Sequence, residues 1–329
     1  PGGAELSQGL LTTSVGSFPK APAVQQARNQ FAQGKLSARD FEELEKQATR
    51  DWITFQEEIG MDILVDGEQY RGDMATYFAE LMDGYTISGL VRSYGNRYYR
   101  KPIAVGRVGR RGPMTLDMWR FAQGLTKLPV KGMLTGPYTM ADWSFNEYYP
   151  TREAFIMDLA HAIHEEALDL ERAGAKYIQI DEPALSTRPE EMEIGSRALG
   201  IVTQGLSAHT ITHICYGDFA KVFNTLINLP VDQIDLELAN SNYALLDYFK
   251  GVKFEKAIGF GVLDVHTHRT ETVEEVKAGI KRGLEILRPD QLFVDPDCGL
   301  KTRTVEEAQD KLRVMMQGTA EVKRELGIS

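Results

Sequence analysis

Long apolar runs, cysteine and clustered basic charge are all scarce in this sequence, and each shortage removes a class of function. No stretch approaches the roughly 18 apolar residues that a membrane-spanning helix needs, so no membrane partner is expected. The segment Pro1 to Leu10 lacks a basic region followed by an apolar one, and the chain is expected in the cytoplasm. Residues 1–8 read as a disordered or tag-derived start and carry no weight in the fold. Lysine and arginine number 37 against 47 acidic residues, a formal net charge of -10. Nucleic-acid binding draws on counterion release by concentrated Lys and Arg. This chain concentrates neither, so no nucleic-acid partner is expected and small-molecule chemistry is. Two cysteines, Cys215 and Cys298, stand in 329 residues. That is too few for a disulfide framework and enough for two soft metal ligands. No glycine-rich phosphate-binding fingerprint opens a helix either.

What is present is an ordinary stock of core-forming residues: 43% of the chain is hydrophobic and 26% charged, so disorder is not expected. The length suits one α/β barrel of about 250 residues with insertions, a single catalytic domain over 1–329. Short apolar runs, each followed by a helical pattern, recur at Leu11–Val15, Asp62–Val65, Lys131–Leu134, Tyr177–Ile180, Thr210–Cys215, Gln233–Leu236, Ala257–Val262 and Gln291–Val294. Runs apolar throughout are what parallel strands buried on both faces require. Their alternation with helices predicts a (β/α)8 TIM barrel. Gly84 to Arg111 breaks the pattern with β-like alternation rich in Gly, Arg and Tyr, and is expected to form a hairpin insertion over one barrel mouth.

Chemistry concentrates at the ends of these predicted strands. His213 and Cys215 stand at i and i+2, the same side of a strand, and Glu237 and Cys298 close two later strands. In barrels that end is where ligands distant in sequence converge. Two thiolates, an imidazole and a carboxylate suit zinc better than magnesium or calcium, which favour oxygen shells. Taken one at a time, the same residues read equally as core thiols, a buried histidine and a helix-capping acid.

The motifs His213-Ile-Cys215-Tyr, Gln179-Ile-Asp181-Glu-Pro-Ala-Leu185, Asp264-Val-His266 and Asp295-Pro-Asp-Cys-Gly-Leu-Lys-Thr-Arg303 occur in order along the chain. With Thr12-Thr-Ser-Val-Gly-Ser-Phe-Pro19, Asp66-Gly-Glu68 and Leu134-Thr-Gly-Pro137 followed by Asp142-Trp-Ser-Phe145, they resemble the catalytic barrel of the cobalamin-independent methionine synthase family, in its short archaeal-type form. The resemblance runs over nearly the whole chain. It implies a zinc-dependent methyltransferase that methylates the thiol of homocysteine to give methionine, with His213, Cys215, Glu237 and Cys298 on the zinc. It further implies that Val15, Gly16 and Ser17 hold the substrate carboxylate, that Glu68 and Asp181 hold its ammonium group, and that His266 is the catalytic proton donor. Arg97, Tyr98 and Trp143 match methyl-donor contacts.

The family's full-length form carries a second barrel that this sequence lacks, and Thr187 stands where the family has an acidic folate contact. The expected donor is therefore a methylcorrinoid, methylcobalamin or a corrinoid protein, with 5-methyltetrahydrofolate as the alternative. Transfer to another thiol such as coenzyme M, and a zinc-binding protein without catalysis, are the further readings.

Overall fold

Strands covered on both faces need apolar residues at every position, and the structure shows where that requirement is met. The computed structural model describes residues 8–92, 98–215 and 217–328. The expected disordered or tag-derived start lies outside these, Gln8 excepted. The described strands are β1 Leu11–Thr12, β2 Met82–Arg92, β3 Tyr98–Arg110, β4 Gly132–Thr135, β5 Phe145–Asn146, β6 Tyr177–Asp181, β7 His209–His213, β8 Gln233–Leu236, β9 Ala257–Gly261 and β10 Leu292–Asp295. The chain divides into two compact units. One comprises Pro1–Tyr70, Phe121–Lys131 and Gln233–Ser329, the other Arg71–Arg120 and Gly132–Asp232.

In the first unit, β1, β10, β9 and β8 lie side by side and parallel, with Thr12 opposite Val294, Phe293 opposite Gly259 and Ile258 opposite Ile234. Every residue of β8 and β10 is buried, the polar Gln233, Asp235 and Asp295 included, and Gln233 donates to Asp235 at 2.9 Å. The expected strand Asp62–Val65 is reduced to one parallel bridge between Leu64 and Val130. Its backbone still reaches both neighbours, the Ile63 N–H donating to the Thr12 carbonyl at 3.1 Å and the Leu64 N–H to the Pro129 carbonyl at 2.8 Å, and side chains supply the bonds at its two ends. The Asp62 carboxylate accepts from the Thr12 N–H at 2.8 Å. The Gln56 amide serves both the N–H and the carbonyl of Val65, at 2.9 and 2.8 Å. Backbone groups satisfied by side chains are lost to strand pairing, so the run stays in place without extending a ladder.

In the second unit β4, β6 and β7 are parallel, with Leu134 opposite Ile180 and Asp181 opposite His213. The hairpin expected near 84–111 is present: β2 and β3 are antiparallel, with irregularities at Asp83/Tyr85 and Ile87/Leu90. At the first of these Gly84 has φ +84, and a Cβ there would lie 2.4 Å from the Arg107 carbonyl oxygen, so glycine is required.

Helices fill the intervals, and the longer ones start where the sequence signals it. Ser37, Thr151, Thr272 and Thr304 each accept a backbone N–H at the start of Ala38–Glu58, Arg152–Arg172, Val273–Leu284 and Val305–Leu326. The architecture is α/β with parallel sheet. No described helix is long and apolar enough to cross a membrane.

Candidate active site

Cys298 follows β10 in a loop that packs tightly on Ser17. The Leu300 N–H donates to the Ser17 carbonyl at 2.9 Å. A Cβ on Gly299 would stand 2.1 Å from the Ser17 Oγ, so a side chain there would push the Ser17 hydroxyl out of its present position. Ser17 also bridges Gly67, and the Phe18 N–H donates to the Gly67 carbonyl at 3.1 Å. The Val15-Gly16-Ser17 turn, Glu68 and the Cys298 loop are thereby brought together.

Glu68 has φ +56, directly after Gly67 at φ +80. A left-handed conformation costs a non-glycine residue roughly 1–2 kcal/mol. It persists because the Asp66 carboxylate holds the Glu68 N–H at 2.8 Å and is itself held by the Tyr70 hydroxyl at 3.0 Å. Strain over-determined in this way is typical of positions that aim a side chain.

On β6 and β7, the register sets Asp181 opposite His213, and the Glu182 N–H donates to the His213 carbonyl at 2.9 Å. Gln179 donates to Asp181 at 2.7 Å. His213 and Asp181 are buried, Cys215 is half-buried, and the Ser186 hydroxyl donates to the Cys215 carbonyl. Polar side chains this deep need partners or ligands to offset desolvation.

The ligating atoms of His213, Cys215 and Cys298 all lie within 4.8 Å of one another. Two sulfurs and an imidazole nitrogen fit zinc. Neither cysteine is in a disulfide among the described residues. Glu237, buried at the end of β8, does not belong to this group; its Oε1 is 3.8 Å from Nε2 of His266. His266 itself is exposed, and its N–H is held by the Asp264 carboxylate at 2.9 Å.

Two buried acids carry more of the site's construction than the sequence reading assigned them. Asp297, next to Cys298, accepts the N–H groups of Ala239 and Asn240 at 3.1 and 2.7 Å, fixing the loop that follows Glu237. Burial pushes its carboxyl up to about 8, and the charges of Glu237 and Asp264 push the same way. A Cβ on Gly261 would lie 2.2 Å from the Asp297 Oδ1, so that glycine makes the room. Glu182, fully buried beside Asp181, accepts the N–H groups of Tyr138 and Thr139 at 3.1 and 2.9 Å. Burial raises it to about 7 against these hydrogen bonds. Both acids stand inside motifs quoted above. Only their hydrogen bonds, which no spacing encodes, reveal their work.

Of the expected donor contacts, Trp143 is 38% exposed. It lines a cavity of about 370 Å³ with Asp73, Thr76, Arg100, Lys101 and Pro102. Arg97 lies outside the described residues, and of Tyr98 only the backbone, in β3, is described.

Residues 10–321 match the family described as "Cobalamin-independent synthase, Catalytic domain". The chain belongs to the cobalamin-independent methionine synthase family. It is an enzyme of the methyltransferase class. A methionine synthase of Saccharolobus solfataricus is 40% identical over 318 residues, covering 96% of this chain and 96% of that protein. A 5-methyltetrahydropteroyltriglutamate–homocysteine methyltransferase of Campylobacter jejuni subsp. doylei is 40% identical over 330 residues, covering 96% of this chain and 44% of that protein. Among solved structures, a B12-independent methionine synthase from Shewanella sp. W3-18-1, in complex with selenomethionine, superposes with a TM-score of 0.86 at 28% identity. That match covers 97% of this chain and 99% of the other, and it makes the fold of this family member TIM-barrel-like.

Proposed function

We propose that this chain is a catalytic (β/α)8 barrel domain that methylates the thiol of homocysteine to give methionine. The observation that carries the reading is the group His213, Cys215 and Cys298, a donor set with no structural need to converge. Glu237 is the proposed fourth zinc ligand. When bound, the zinc supplies a thiolate: a free thiol of pKa about 8.5 is only about 3% ionised at pH 7, and coordination removes its proton.

The chain's own residues do the rest. The Val15-Gly16-Ser17 turn offers N–H groups and a hydroxyl to the substrate carboxylate. Glu68 and Asp181 offer carboxylates to its ammonium group, which an acceptor such as coenzyme M would not use. The selenomethionine held by the Shewanella relative has the same amino-acid end. His266 is the proposed proton donor to the leaving group, its imidazole suited to that task near neutral pH.

For the donor we retain the methylcorrinoid. It presents its methyl group on a broad flat face and leaves without needing a proton, which an exposed His266 does not contradict. The folate reading has one observation in its favour, the open Trp143 face over a cavity whose size admits a bicyclic ring. Turnover of homocysteine with methylcobalamin and with 5-methyltetrahydrofolate, each on wild type and His266→Ala, decides between them. Corrinoid turnover insensitive to His266→Ala supports the first reading, and folate turnover lost in that variant supports the second. No turnover with either, in zinc-loaded protein, would overturn the homocysteine methyltransferase reading.

A further inference from the structure

The C-terminal helix Val305–Leu326 carries a lysine where a lysine is costly. Lys311 is fully buried, and its ammonium group is spent on a single loop. It donates to the Asp264 carbonyl at 3.0 Å, to the Arg269 carbonyl at 2.6 Å and to the Glu271 carboxylate at 2.8 Å. The other oxygen of Glu271 accepts the Asp264 N–H at 2.7 Å, and Asp264 in turn accepts the His266 N–H at 2.9 Å. A buried ion pair of this kind stabilises little compared with apolar packing, so its retention calls for another reason. It closes the segment Asp264–Glu271 into a ring fastened at both ends to one ammonium, with His266 at its crest. His268 adds a second tie to the same helix through Glu307, at 2.7 Å.

We propose that Lys311, through its ion pair with Glu271, is the positioning residue for His266. The inference rests on His266 as the proton donor, yet the positioning itself can be tested separately. Lys311 offers three donors, and here all of them meet acceptors spread over the two ends of the loop. Removing the ammonium frees two carbonyls and one carboxylate at once, so the loop loses its shape while the strands beneath keep theirs. His266 is exposed, so packing from above does not compensate.

The test uses zinc-loaded Lys311→Met and Glu271→Gln, with Lys281→Met as control, since the Lys281 pair with Glu325 lies at the surface. Ring-labelled histidine NMR reads the position of His266, whose signal His266→Ala identifies. Lys311→Met should shift or broaden that signal and leave the His213 signal in place. It should lower kcat by about ten- to a hundredfold, as misplacement of a reacting group does, with the KM for homocysteine and the zinc content unchanged. Glu271→Gln keeps an acceptor for the Asp264 N–H and should show a smaller change in the same direction, which preserves the test if Lys311→Met fails to fold. An unmoved His266 signal in either folded variant overturns the proposal, whatever kcat does. A moved signal with kcat unchanged, in an enzyme where His266→Ala also keeps its kcat, supports the positioning and overturns His266 as proton donor.

Discussion

The parallel strands β6 and β7 and the hairpin β2–β3 belong to one compact unit yet obey different rules. In β6 and β7 nearly every residue is buried, and what they deliver, Asp181 and His213, stands in register at their ends. The hairpin is tied at its base and along β3, where Ile103 pairs with Phe145 and the Thr76 hydroxyl donates to the Arg100 carbonyl at 3.1 Å. Arg110 forks onto the fully buried Glu166 at 3.0 and 2.7 Å and reaches Asp169 at 2.7 Å. Glu166 also takes the N–H groups of Met114 and Thr115, each at 2.9 Å. From there the hairpin runs outward to Arg100 and Lys101, which line the Trp143 cavity. A platform buried on both faces can hold metal ligands to a fraction of an ångström. A hairpin held by separate ties rather than by burial on both faces suits the recognition of a second, exchangeable reactant. Damage to the platform should therefore abolish chemistry, and damage to the hairpin should alter stability or donor affinity.

The largest effect should come from the metal ligands. Dividing about 10–16 kcal/mol of zinc binding among its ligands makes each worth roughly 3 kcal/mol, on the order of a hundredfold in metal affinity. Cys298→Ser and His213→Ala should each lose zinc and turnover, as read by metal analysis beside an activity assay. Near-normal zinc in both would remove the site assignment.

Next come Glu68→Gln and Asp181→Asn. Each should weaken homocysteine binding by roughly ten- to a hundredfold with zinc retained, because a charge-assisted hydrogen bond is worth about 1.5–3 kcal/mol. Calorimetric titration of homocysteine into the zinc protein measures this. Unchanged affinity in both variants would move the acceptor to a thiol without an ammonium group.

At the hairpin base, Glu166→Gln should cost about 2 kcal/mol of stability, since Arg110 keeps Asp169 but loses its buried partner. Chemical denaturation would show it, with the zinc content unchanged. Loss of zinc here instead would erase the distinction between platform and hairpin. Smallest should be Trp143→Ala, which removes a stacking contact of about 1 kcal/mol and should raise the donor KM about fivefold without changing that for homocysteine. An equal rise in both would mean that the cavity does not separate donor from acceptor.

Much of this was legible in the residues. Seven of the expected apolar runs appear as strands, because continuous burial leaves a continuous apolar signature. Asp62–Val65 carried the same signature but pairs through a single bridge at Leu64, because the Gln56 side chain takes both backbone groups of Val65, and such competition leaves no periodicity to detect. His213, Cys215 and Cys298 converge as their positions at strand ends implied. Glu237 is buried, with its Oε1 3.8 Å from Nε2 of His266.

By itself the sequence determined the α/β class, the order of strands, the hairpin and which soft side chains stand at strand ends, because burial and donor type are properties of residues and their spacing. Tertiary structure alone decided that Gly299 leaves room for the Ser17 hydroxyl, that Asp297 fixes the chain beyond Glu237, and that one buried lysine closes the His266 loop. These depend on approaches of a few ångströms between segments far apart in the chain, and such distances exist only once the backbone has folded.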